Sequence, residues 1–135
     1  MIIIFDLDDT LYDESTYVKS SLYKVACYLS EKYELPEESI FEDLVQVFNE
    51  QNRGHIFDEV LKKYNVYTKT EVNKCVSVYR KNIPYIKLFD EASDVLEMLS
   101  EYPKYLVSDG NKLVQSIKVN ALGIQKYFKK VFLTH

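Results

Sequence analysis

Cysteine occurs only twice in the 135 residues, at Cys27 and Cys75, histidine twice, and tryptophan not at all. Two cysteines this far apart in sequence, each in a segment of helical character, favour buried thiols over a disulfide. His55 and His135 stand at no ligand spacing from each other or from either cysteine, so His55 is expected as a solvated helix cap and His135 as a chain end. Three glycines and three prolines, with 47% hydrophobic and 28% charged residues, exclude a disordered or fibrous chain and predict a compact globular fold. There is no surplus of basic residues. Seventeen Lys and Arg against 21 Asp and Glu give a net charge of −4, which argues against nucleic acid as a partner. The start MIIIFDLDD lacks a basic leader, meets its first charge at Asp6, and is too short for a signal peptide or membrane span. The expected location is cytoplasmic.

What the chain does have is a change of grammar along its length. Ile2-Ile3-Ile4-Phe5 is an unbroken run of β-branched and aromatic residues, as in a strand covered on both faces in a parallel sheet. From Asp13 to Asn82 helical spacing takes over. Val18, Leu22, Val25 and Leu29 mark a first helix ending near Pro36; Ile40, Leu44, Val47 and Phe48 mark a second. A third is predicted from Ile56 to Tyr64, closed by Asn65, and a fourth capped by Thr68 or Thr70 and ending before Pro84. Beyond Pro84, helix and strand alternate. A helix over Asp90 to Tyr102, a strand over Lys104 to Ser108, a helix over Leu113 to Leu122 with Gly123 as its cap, and a strand over Val131 to Leu133 follow in turn. This is α/β architecture, a parallel sheet with right-handed crossovers, whose ligands bind at the C-terminal ends of the strands. Both Asp6 and Ser108 fall at such ends.

Asp6 and Asp8 stand two apart, so in a strictly extended strand they would face the same way. A carboxylate fixed at a strand end can act as a nucleophile, and its neighbour as general acid and then base. Two carboxylates repel a phosphate dianion, and a hard divalent ion with oxygen ligands is the natural remedy. Asp13-Glu14 is expected to be a helix start rather than a ligand pair, and Tyr12 and Tyr17 to pack in the core or face a substrate.

The segment FDLDDTLYD resembles the first signature, Asp-x-Asp-x-Thr, of the haloacid dehalogenase-like (HAD) superfamily. LVSDGNK, residues 106–112, resembles the second, a hydrophobic strand ending in Ser or Thr followed by a residue and Gly, with Asp109 where Asn is more usual. The resemblance implies an α/β fold with a HAD-like Rossmannoid parallel sheet, here of about three strands and incomplete, with an inserted α-helical cap. Residues 1–12 and 84–135 would form the core and 13–83 the cap. It also implies a Mg²⁺-dependent phosphatase in which Asp6 forms an aspartyl-phosphate, Asp8 is the acid/base, and Thr10 orients Asp8. Asp6 and the main-chain carbonyl of Asp8 would hold Mg²⁺. Ser108 with the N–H groups of Asp109 and Gly110 would bind the phosphoryl oxygens. The expected partner is a small phosphorylated metabolite, with neither nucleic acid nor membrane, and a second copy through an exposed sheet edge. None of Lys112, Lys126, Lys129 or Lys130 stands at the family's lysine position, which is expected, with a final acidic pair, beyond His135. The chain therefore reads as the first part of a longer enzyme. An inactive fragment serving as a binding module and a phosphomutase are the alternatives; dehalogenation has no use for Asp8.

Overall fold

The computed structural model describes residues 1–50 and 53–134; His135, read above as a chain end, lies outside the described residues. The chain divides into two compact units, residues 1–18 with 83–135, and residues 19–82.

In the first unit three strands, β1 (Ile3–Phe5), β2 (Lys104–Asp109) and β3 (Lys130–Thr134), form a parallel sheet in the order β1-β2-β3. The expected α/β fold with a three-stranded parallel sheet is what is found. Phe5 pairs with Leu106 and Leu106 with Val131, so these three share a face, and Leu106 is fully buried. On the other face the sheet is not covered as expected: among the described residues Ile4 is 67%, Val107 37% and Phe132 40% exposed. The reason is topological. With the strands in the order β1-β2-β3, connections of the usual right hand run over one face only; α5 (Asp90–Met98) leads into β2, and α6 (Lys112–Leu122) joins β2 to β3. Buried Lys104, at the start of β2, donates from Nζ to the carbonyls of Leu99 at 2.7 Å and Tyr102 at 3.3 Å. It thereby ties the start of β2 to the turn after α5, in which the Leu99 carbonyl also accepts from the Tyr102 N–H at 3.0 Å. Leu7, Leu11, Tyr12, Leu96 and Ile124 complete the core of this unit.

The second unit is helical. The boundary falls inside α1 (Glu14–Tyr33), which is followed by α2 (Glu37–Asn49), α3 (Ile56–Lys63) and α4 (Lys69–Lys81). The predicted apolar stripes become its core: Leu22, Val25, Leu29, Ile40, Leu44 and Leu61 are all buried. Asn65, at φ +59°, closes α3 in the left-handed conformation that Asn tolerates. His55 is exposed and precedes α3 without a side-chain capping bond. Cys27 and Cys75 are both free thiols, and burial pushes the Cys75 thiol up to about 12. No helix among the described residues is long and apolar enough to cross a membrane.

Of the two candidate caps for α4, Thr68 is the one used, its Oγ1 accepting from the Glu71 N–H at 3.0 Å. Glu71 itself is buried, and its carboxylate accepts from Tyr28 and Tyr33 and pairs with Lys32. Those partners lie on α1, so the cap also sets where α4 meets that carboxylate network. Thr68→Ala is expected to cost about 1 kcal/mol, read as a lowered urea midpoint at unchanged slope.

Candidate active site

β1 stops at Phe5, and the turn that follows sorts four carboxylates into different roles. Leu7 is fully buried, and its carbonyl accepts from the N–H groups of Thr10 at 3.2 Å and Leu11 at 3.0 Å. Asp9 sits at φ +58°, a conformation for which Asp is enriched, and its Oδ1 accepts from the Glu14 N–H at 2.9 Å. Asp13 accepts from the Ser15 N–H at 2.9 Å, so Asp13-Glu14 is the helix start that the sequence predicts. Because the chain turns after Phe5, Asp6 and Asp8 do not continue an extended strand. Asp6 is exposed at the strand end, whereas the Asp8 side chain is only 24% exposed.

Asp8 is held by three donors. Tyr12 Oη donates to Oδ1 at 2.6 Å, Lys118 Nζ pairs with the same oxygen at 2.8 Å, and Gln115 Nε2 donates to Oδ2 at 2.9 Å. Burial alone would raise the Asp8 pKa, but the bonds from Lys118, Tyr12 and Gln115 and the Lys118 charge outweigh it and hold the carboxyl below its ordinary range. Burial, together with the bond to this carboxylate, pushes the Tyr12 hydroxyl far above its ordinary value, so Tyr12 is a fixed donor. The Lys118 side chain is 4% exposed and its Nζ lies 4.4 Å from the ring centroid of Tyr17, an aromatic contact suited to a buried ammonium. Tyr12 and Tyr17 are accordingly core residues, both buried.

Ser108, at the end of β2, is buried, and its Oγ accepts from Gln115 Nε2 at 2.6 Å. One amide thus joins the end of β1 to the end of β2. The other residues singled out by sequence make no side-chain hydrogen bond to Asp8 among those described. Thr10 is exposed and lines a groove with Phe5, Leu11, Phe89, Ala92 and Val95, so the orienting of Asp8 falls to Tyr12, Gln115 and Lys118. Asp109 is exposed, its Oδ1 accepting from Thr134 Oγ1 at 3.4 Å. The Gly110 N–H, assigned above to a phosphoryl oxygen, donates to the Thr134 carbonyl at 2.9 Å.

Two residues that the sequence does not single out, Gln115 and Lys118, bind the Asp8 carboxylate together with Tyr12. Their signal is a polar pair at i, i+3 within the buried stripe of α6, flanked by Val114 and Val119. The helix is registered by Asn111, whose Oδ1 accepts from the Val114 N–H at 3.1 Å, and it ends at Gly123 in the left-handed conformation at φ +65°.

No curated protein matches the chain. Among solved structures it is similar to a candidate phosphatase from Clostridium difficile, at 20% identity and TM-score 0.61, covering 99% of this chain and 60% of that one. It is likewise similar to YfnB from Bacillus subtilis, solved with magnesium bound, at 21% identity and TM-score 0.58, over 98% of this chain and 62% of that one. L-2-haloacid dehalogenase from Xanthobacter autotrophicus matches at 16% identity and TM-score 0.51, over 98% of this chain and 56% of the enzyme. The chain spans about three fifths of the length of these structures. The family model of haloacid dehalogenase-like hydrolases matches residues 3–135, and with the α/β fold and both strand-end motifs in place, the chain belongs to that family.

Proposed function

We propose that this hydrolase cleaves a small phosphate monoester through an aspartyl-phosphate on Asp6, in a Mg²⁺-dependent reaction. The observation that carries the reading is the division of labour between the carboxylates: Asp6 is exposed, while Asp8 is clamped by Lys118, Tyr12 and Gln115 beside it. An exposed carboxylate on a fixed strand end suits a nucleophile; a clamped one suits proton transfer.

The donor set fits Mg²⁺. With the Asp8 carboxylate bonded to Lys118, Tyr12 and Gln115, the Asp6 carboxylate and the Asp8 carbonyl remain as ligands. Mg²⁺ commonly takes one or two carboxylates and keeps several waters. No cluster of three acidic, His or Cys side chains able to hold a metal is found among the described residues, so the ion would rest on two protein oxygens, water and substrate. When bound, Mg²⁺ would offset the repulsion between these carboxylates and a phosphate dianion.

In the first half of the reaction an Asp6 carboxylate oxygen attacks phosphorus. The bond from phosphorus to the ester oxygen breaks, and the departing oxygen takes a proton from Asp8. In the second half water attacks the aspartyl-phosphate, its proton passes to the Asp8 carboxylate, and the bond from phosphorus to Asp6 breaks. Phosphate leaves and Asp6 is restored. Lys118 favours the ionised Asp8 that this second half needs and disfavours the protonated form that the first half draws on, so the first half requires the Lys118 contact to loosen. The helical unit, residues 19–82, is assigned to substrate choice.

The test is release of phosphate from para-nitrophenyl phosphate by the 135-residue chain, with and without Mg²⁺, beside chloride release from 2-chloropropionate. Mg²⁺-dependent phosphate release is expected. Chloride release alone would make it a dehalogenase, and release of neither would leave a binding module.

A further inference from the structure

We infer that Gln115 is a positioning residue that fills an acceptor site of Ser108 and so leaves the Ser108 hydroxyl proton for a phosphoryl oxygen. The identity of the acceptor rests on the phosphatase reading above; the bridge itself does not.

The argument is one of donor and acceptor counting. A carboxamide nitrogen carries two protons and accepts nothing, while a hydroxyl has one proton and two acceptor sites. Gln115 Nε2 lies 2.9 Å from Asp8 Oδ2 and 2.6 Å from Ser108 Oγ, so it gives one proton to each. The Asp8 carboxylate settles which end of the amide faces inward, because turning the amide over would set oxygen against oxygen. Ser108 is therefore an acceptor from Gln115, and its own proton is not given to that nitrogen.

Burial makes the arrangement exclusive. Gln115 and Ser108 are 2% and 1% exposed, which keeps water from taking the amide's place. Gly110 packs against the same side chain: a Cβ built at this glycine would lie 3.4 Å from Gln115 Cδ, at a backbone φ of +136° that side chains rarely adopt. The glycine of the second motif thus serves here as a floor for the Gln115 amide, while its N–H is taken by Thr134. Lys118, one turn farther along α6, holds the other oxygen of Asp8.

The experiment uses the full chain, with inorganic phosphate plus Mg²⁺ as the probe and side-chain amide NMR of Gln115 as an independent readout. Ser108→Ala is expected to shift one of the two Gln115 Nε2 protons and leave the other on Asp8. Gln115→Met, similar in size and without a donor, is expected to weaken phosphate binding about tenfold. Ser108→Ala should weaken it similarly, and the double variant no further, since both act through one hydroxyl. A Gln115 amide indifferent to Ser108→Ala overturns the inference in a fully folded background, whatever the Met variant does. Phosphate affinity unchanged in Gln115→Met overturns it as well. A wild-type chain that keeps the amide bridge and binds no phosphate fells the phosphatase reading, and the donor role toward phosphate with it.

Discussion

Asp8→Asn is expected to destabilise the protein more than Lys118→Met, although both substitutions break the same ion pair. The asymmetry comes from burial. Removing the Asp8 charge strands an ammonium whose side chain is 4% exposed, and an uncompensated buried charge costs about 3–5 kcal/mol. The new Asn amide nitrogen also meets either Gln115 Nε2 or the donors Lys118 and Tyr12, so one donor faces another. Removing Lys118 instead leaves Asp8, 24% exposed, with Tyr12 and Gln115 still donating to it. That loss is about 1–3 kcal/mol. Acid should erase the Asp8→Asn difference. Asp8 is held below its ordinary range, so its contribution is fully present above the ordinary aspartate value of about 3.9 and is lost as pH falls below it. Urea unfolding at pH 7 and through a descending acid series reads both statements; an Asp8→Asn variant within about 0.5 kcal/mol of wild type at pH 7 would refute the buried-pair account.

Most of the fold was legible because its signals are local. The runs Ile2–Phe5, Lys104–Ser108 and Val131–Leu133 each became a strand of the parallel sheet, the first trimmed by one residue, the second extended by one, and the third extended by one at each end. The turn residues Thr68, Asn65 and Gly123 closed or capped the helices they were expected to. What the sequence concealed depends on contacts between distant segments. Lys118 meets Asp8 across 110 positions, and the meeting requires α6 to be registered by Asn111 and laid against the end of β1. Searching for a lysine at the family's spacing directs attention to chain position, whereas this lysine is identified by being charged on a buried helix face. The acceptor of the Gly110 N–H is hidden for the same reason: the Thr134 carbonyl lies on β3, which the motif itself does not contain. The bare sheet face follows from strand order, and a single apolar run such as Ile2–Phe5 looks the same whether one face is covered or two.

Asp6→Asn should behave in the opposite sense to Asp8→Asn, with a large effect on turnover and almost none on stability. Asp6 is exposed beyond the end of β1, and a surface change of this kind stays within about 0.5 kcal/mol. In the proposed reaction, however, this carboxylate forms the bond to phosphorus, and a neutral carboxamide is a far weaker nucleophile. Losing it is expected to lower Mg²⁺-dependent aryl phosphate hydrolysis by about 10³-fold or more, roughly 4 kcal/mol in the barrier. An aryl phosphate is the right probe because its leaving group needs little protonation, so the rate reports on Asp6 with the least interference from Asp8. Paired melting and rate measurements separate the two aspartates: Asp8→Asn should lose stability and Asp6→Asn only rate. Should Asp6→Asn hydrolyse the ester at the wild-type rate, Asp6 is not the nucleophile; should it lose several kcal/mol of stability, the exposed carboxylate is holding structure rather than awaiting substrate.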